Sequence, residues 1–238
     1  MNTFDIFELP LYWEMVNAEK IALLNILKDI KPCISIEIGT RKGGSLQLIA
    51  ALSEEVYCLD IDPAIEELGN TFSNTHFVIG DSKETLPILL RQLADDGKQA
   101  DFILIDGDHS MEGVKADIDN ILKINISRPL TVLMHDSFNP DCRQGMLDAD
   151  YTKNPFVDTV DIDFIQGIYS PGESTRAEMW GGFGMIYLKP GARPQTPLIK
   201  RSSQYSYERL YHLSTHYHFK ARTLTARLRA LMFRKIFK

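Results

Sequence analysis

Residues 36–45 read Ile36-Glu37-Ile38-Gly39-Thr40-Arg41-Lys42-Gly43-Gly44-Ser45. The apolar run Cys33–Ile38 has the length of a buried strand, and it breaks at a glycine-rich bend that leads into a helical stretch from Ser45 to about Ser53. A strand that turns into a helix in this way opens a parallel sheet. Gly39 and Gly43 permit a tight turn and close approach of the backbone to a ligand. Val56–Ile61 reads as the second strand, and Asp60 near its end falls 21 residues after Gly39, where an acid can accept both hydroxyls of a ribose. The bend is not the dinucleotide fingerprint, because GxGxxG requires glycine where Arg41 stands. Glu37 beside it disfavours a pyrophosphate and suits a ligand with a cationic end, such as an amino group or a sulfonium.

Outward from this unit, strands and helices alternate. Residues 12–30 place Met15, Ile21, Leu24, Leu27 and Ile30 at helical spacing, and Pro32 closes that helix. After the second strand, Pro63–Leu68 begins a helix, with Asp62 as its cap and Pro63 at its first position. His76–Ile79, Asp101–Ile105 and Leu130–Met134 read as strands, separated by helices over Thr85–Ala94 and Met111–Lys123. Val160–Ile165 and Gly184–Leu188 complete the set. Residues 137–158 show little periodicity and read as a long loop or lid with one short helix, and Arg193–Ser206, with two prolines, reads as a linker. The expected fold is α/β, a doubly wound and mostly parallel sheet with helices on both faces.

The 238 residues are 44% hydrophobic and 24% charged, which fits one globular domain with an appendage and excludes a disordered chain. No apolar run reaches the roughly 18 residues of a membrane span, and no secretory signal is expected from the N-terminus. Cys33, Cys58 and Cys142 are sparse and widely spaced, which fits a reducing, cytoplasmic location and packing roles. Charge divides the chain. Residues 1–190 carry 15 Lys/Arg against 31 acids, and residues 191–238 carry eleven against one acid, Glu208. So acidic a body disfavours nucleic acid as a partner.

The motifs Glu37-x-Gly39-x-x-x-Gly43-x-Ser45, Leu59-Asp60-Ile61-Asp62-Pro63, Gly80-Asp81-Ser82 and Ile105-Asp106-Gly107-Asp108-His109 follow one another in an order that resembles class I S-adenosylmethionine-dependent methyltransferases. The run Asp106-Gly107-Asp108-His109-Ser110-Met111-Glu112-Gly113-Val114 is similar to the branch holding sugar and macrolide O-methyltransferases and cephalosporin-biosynthesis methyltransferase-like proteins, with Met111 where that branch carries tyrosine. The resemblance covers about residues 33–190. It implies a Rossmann-like sheet of seven strands, the last antiparallel, in a domain of residues 1–190 with residues 1–32 as an N-terminal cap. It also implies S-adenosylmethionine as cofactor. The Gly39–Gly43 loop with Thr40 and Ser45 would hold the methionyl carboxylate, and Glu37 would orient the amino group directly or through water. Asp60 and Ile61 would meet the ribose side, Asp81 and Ser82 the adenine edge, and Asp106 the floor of the site.

A second constellation is acidic. Asp106 ends the fourth strand and His135-Asp136 ends the fifth; strands four and five are neighbours in this fold, so the three side chains converge. Convergent acids repel unless a cation or a proton intervenes, and carboxylates select hard ions such as Mg²⁺, Mn²⁺ or Ca²⁺. Asp106, His135 and Asp136 are therefore the expected metal ligands; the resemblance implies an acid after strand four and an acidic or amide pair after strand five, from which His135 departs. The chemistry expected is methyl transfer to a hydroxyl of a small molecule, a sugar, glycan precursor or secondary metabolite. Such a reaction needs in-line alignment and a deprotonated acceptor. Asp108 and His109 are the two candidates for the general base; His109 has the better unperturbed pKa and Asp108 the closer match to the relatives.

The alternatives are a non-catalytic S-adenosylmethionine-binding module and a nicotinamide-dependent oxidoreductase, the latter disfavoured by Arg41. The basic tail His218–Lys238 places Leu224, Leu228, Leu231 and Met232 on one helical face, suited to an anionic membrane surface, to this protein's own acidic body or to a second copy in a homo-oligomer. His212 and His216, four apart, form a bare pair with no metal motif around them.

Overall fold

A computed structural model describes residues 6, 8–169, 177–193 and 196–217. In chain order the elements are α1 (Asn17–Ile30), β1 (Ile34–Ile38), α2 (Leu46–Leu52), β2 (Glu55–Asp60), β3 (Thr75–Ile79), α3 (Ser82–Asp95), β4 (Phe102–Ile105), α4 (Met111–Ile121), β5 (Leu130–His135) and α5 (Pro140–Asp148). They continue with β6 (Val157–Ile165), β7 (Ile168–Tyr169), β8 (Met179–Trp180), β9 (Phe183–Leu188), β10 (Leu198–Lys200) and α6 (Gln204–Leu213).

The inner strands β1 and β4 are buried along their whole length, as strands covered on both faces must be, and this is why ISIEI and FILI read as continuous apolar runs. One large sheet has the order β10-β6-β9-β5-β4-β1-β2-β3. All neighbours are parallel except β9, which runs antiparallel to β5 and β6. Two apolar layers fill the two sides. One packs α3, α4 and α5 on the sheet through residues such as Leu86, Ile118 and Met146, and the other packs α1 and α2 through Leu23, Leu27 and Leu48. The doubly wound α/β sheet is as expected. Strand order reverses between β1 and β4, which opens a crevice beyond their carboxyl ends.

Three readings need correction. Residues 137–158 are not a lid. Asn139 caps α5 by accepting from the N–H groups of Asp141 and Cys142, and α5 lies flat against α4, with Cys142 and Met146 in the core. Gly145 permits that approach, since a Cβ there would come 2.5 Å from the carbonyl of Met111. The stretch read as a linker contributes β10, an eighth strand parallel to β6. Its residues are exposed and carry no alternation, which hid it. Finally, Pro63–Asn70 winds as a 3₁₀ helix, although Asp62 caps it as expected by accepting from the N–H of Ala64 at 2.9 Å. The amphipathic reading of residues 218–238 lies outside the described residues.

The far side is fastened by a buried ion pair. Arg143 of α5 donates to Asp163 of β6 at 2.8 Å and to the side chain of Gln204 at 3.0 Å, and its guanidinium lies 4.2 Å from the ring centre of Tyr207. Among the described residues no helix is long and apolar enough to cross a membrane.

Candidate active site

The crevice at the strand ends encloses about 1190 Å³. One half is built by the bend after β1. Gly39 has φ +88°, and a Cβ there would collide with the backbone of Asp106 and Gly107; the loop crosses the end of β4 at a distance that only glycine allows. Arg41 follows in the left-handed region, at φ 49°. That turn aims its N–H at Asp60, whose Oδ2 accepts it at 2.7 Å, while Oδ1 accepts the N–H of Asp62 at 2.9 Å. Asp60 is thus held in one orientation at the mouth. Asp81 caps α3 by accepting from the N–H of Lys83 at 2.9 Å, and both it and Ser82 line the crevice, as do Thr40, Ser45 and the exposed Ile61.

Glu37 is fully buried behind the loop and does not itself line the crevice, which leaves the water-mediated form of the expected contact. The hydroxyl of Ser45 donates to its Oε1 at 2.5 Å. Burial pushes its carboxyl up to about 8 against the help of Ser45. Oε2 of Glu37 and Oγ1 of Thr40 are buried without a hydrogen bond of full geometry among the described residues, although the Thr40 side chain, like Ser45, stands near enough to Glu37 to oppose the rise of its carboxyl.

The other half is a corner of titratable side chains. Asp106 follows β4, His135 ends β5 and Asp136 stands next at φ 56°. That left-handed residue ends the strand, which is how adjacent residues come to face one site. Nδ1 of His135 lies 2.8 Å from Oδ1 of Asp106 and 3.5 Å from Oδ2 of Asp136. Its Nε2 faces Glu19 at 3.5 Å. Oδ1 of Asp136 accepts from the N–H of Gly181 at 2.5 Å. His109 stands on the open side, with Nε2 3.4 Å from both Asp106 and Asp136.

The titration of these groups follows from their partners. Burial works to raise Asp106, yet His135 and His109 hold it below its ordinary value. Burial works to lower His135, but Asp106 and Asp136 outweigh it and hold the ring well above its ordinary value. Asp136 is raised by burial despite the two imidazoles. His109 is raised chiefly by its hydrogen bond with Asp106.

Asp106, His109 and Asp136 offer ligand atoms that all lie within 4.8 Å of one another, a donor set that fits a divalent ion. Both histidines line the crevice, but both ring nitrogens of His135 are turned to carboxylates, so it balances charge in the corner, and His109 is the more exposed of the two. Asp108 is also engaged: Oδ1 accepts the N–H of Ser110 and Oδ2 the ammonium of Lys83, each at 2.9 Å. Burial opposes these bonds, but they hold its carboxyl below the usual range, which makes it a poor base.

The wall opposite the strand ends comes from Tyr12–Val16 and Glu19, together with Ile168, Trp180 and Gly181. No residue of 137–158 lines it, against expectation. None of these residues belongs to a repeating pattern. The pair Gly181-Gly182, with φ 70° and 81°, was the visible signal of a tight turn there.

Residues 36–137 match a family described as a methyltransferase domain. Among solved structures, a cofactor-bound protein from MTB, Rv0187, superposes with a TM-score of 0.53 at 19% identity, over 76% of this chain and 85% of that one. An O-methyltransferase from Bacillus cereus in complex with SAH gives 0.51 at 16% identity, over 74% and 82%. At these identities the likeness is one of fold. No curated protein matches the chain.

Proposed function

We propose, from the premise that the chain carries a class I methyltransferase domain, that it is an S-adenosylmethionine-dependent O-methyltransferase assisted by a divalent cation. The observation that carries this reading is the union, in one crevice, of the Gly39–Asp60 half with the Asp106–His109–Asp136 corner. The cofactor would supply a methyl already activated on a sulfonium, and a cation positive charge that eases loss of a hydroxyl proton.

The chain's own residues supply placement. The backbone of the bend and the anchored Asp60 would hold the two ends of the cofactor, and Glu37, behind the loop, would reach its amino group only through water. Asp106, Asp136 and His109 would hold the cation. A ring nitrogen bound to the cation cannot also take a proton, so His109 would serve either as a ligand or, where Asp106 and Asp136 alone hold the cation, as the proton acceptor. Tyr12, Trp13, Met15, Ile168 and Trp180 form a largely apolar wall for the acceptor and would keep water from the reacting atoms. The acceptor class, a hydroxylated sugar, glycan precursor or secondary metabolite, rests on the resemblance of the Asp106–Val114 run.

The test is turnover over a panel of hydroxylated acceptors with and without EDTA. Loss of methyl transfer on chelation, restored by Mg²⁺, is expected. Full activity in metal-free buffer would remove Asp106, His109 and Asp136 from the ligand role.

A further inference from the structure

Glu19 reaches the reactive corner from the first turn of α1, and it is 1% exposed. Its two oxygens serve different neighbours. Oε2 accepts from the N–H of Val16 at 2.7 Å and closes the start of α1. Oε1 accepts from the N–H of Gly182 and stands 3.5 Å from Nε2 of His135. Each of those partners leads to one carboxylate of the corner. His135 turns its other nitrogen to Asp106 at 2.8 Å, and Gly181, beside Gly182, donates its N–H to Asp136 at 2.5 Å. The fit is tight, because a Cβ on Gly181 would come 2.6 Å from Oε1 of Glu19.

The segment that carries Glu19 is itself clamped to the cofactor half. The side chain of Gln47 exchanges hydrogen bonds with both backbone groups of Leu11, at 3.0 and 2.9 Å. Glu14 pairs with Arg41 of the bend at 2.5 Å. A Cβ on Gly44 would come 2.8 Å from the carbonyl of Tyr12.

We propose that Glu19 is a positioning residue: its buried carboxylate, anchored by the N-terminal arm, fixes the ring of His135 and the Gly181-Gly182 turn, and through them sets the spacing of Asp106 and Asp136. The proposal rests on the reading of those two aspartates as cation ligands. It has a specific chemical requirement. Two backbone N–H groups point at Glu19, one at each oxygen, so both positions must accept. Glutamine has the same size but presents one oxygen and one NH₂, leaving a donor against a donor. A residue that merely filled space would tolerate that exchange.

The experiment compares Glu19→Gln and Glu19→Asp with the wild-type full chain. It reads the dissociation constants of Mn²⁺ and of S-adenosylhomocysteine by calorimetry, and the crystal structure of each variant. Mn²⁺ affinity is expected to fall about 10–100-fold in both variants, as for other residues that orient ligands. S-adenosylhomocysteine affinity stays close to wild type, and the crystals show the ring of His135 turned from Asp106 or the Gly181–Asp136 bond lost. If Glu19→Gln yields no folded protein, Glu19→Asp, which keeps both accepting oxygens but withdraws them by one methylene, decides. Wild-type Mn²⁺ affinity in the variants, with Asp106, His135 and Asp136 superposing on their wild-type positions, would overturn the proposal. If the wild-type chain binds no Mn²⁺, the cation reading fails on its own account. The positions of His135 and Asp136 in the variant crystals then decide the positioning role.

Discussion

Asp106 and His135 leave neighbouring parallel strands and meet with Nδ1 of the ring 2.8 Å from Oδ1 of the carboxylate. Neither group is well solvated, and each holds the other in its charged form. Removing the ring leaves Asp106 with only the longer 3.4 Å contact to His109 and leaves the buried carboxylate of Glu19 without the imidazolium cation beside it. His135→Ala is therefore expected to cost about 3–5 kcal/mol of folding stability. Urea denaturation at neutral pH checks this. A loss of a few tenths of a kcal/mol would mean that the pair is more hydrated than the geometry indicates.

Asp60 closes the cofactor half by accepting from two N–H groups of its own chain and presenting its carboxylate at the mouth of the crevice. Asp60→Ala should weaken S-adenosylmethionine binding by about 1–3 kcal/mol through lost charged hydrogen bonds. Calorimetric titration measures it, and a parallel titration with NAD should give no heat of binding. Unchanged affinity for S-adenosylmethionine would place the ribose elsewhere.

The parts of this site that are legible in sequence are those that local rules fix. Gly39 must be glycine because the bend grazes β4, and Asp60, Asp106 and Asp136 follow apolar runs whose length marks the strand ends. The parts that escape are long-range. Glu19 and Gly182 are 163 residues apart in sequence, and nothing local in either marks their meeting. Trp180 reaches the crevice only because β8 folds back beside β7. The core packing of α5 escaped, though a short helix in 137–158 did not, because Gly145 and the polar Arg143 break its apolar pattern; Arg143 is buried against Asp163, and Gly145 is small because α4 lies against it. His135 is the ligand expected from sequence and His109 a candidate base; that His109 also stands within reach of Asp106 and Asp136 depends on how the loop after β4 folds back toward the end of β5, which strand alternation does not encode.

Glu37 ties stability to pH. In the unfolded chain its carboxyl ionises near 4.5, and burial in the fold raises that to about 8. The folded state therefore holds a proton that the unfolded state releases. Its contribution is fully present below pH 4.5 and is lost as pH rises through 8. Glu37→Gln cannot ionise, so it should flatten the decline and be the more stable form at pH 9, by on the order of a few kcal/mol. Melting temperatures of both proteins at pH 5, 7 and 9 read the effect. Parallel pH profiles for the two would show that Glu37 stays ionised in the fold.

The most direct measurement of the whole account is a crystal structure of the chain with S-adenosylmethionine. The account predicts the adenosyl group along Asp60 and Asp81, the methionyl end over the Gly39–Gly43 bend, and the methyl carbon aimed at the corner of Asp106, His109 and Asp136. An empty crevice, or a methyl directed away from those carboxylates, would contradict it.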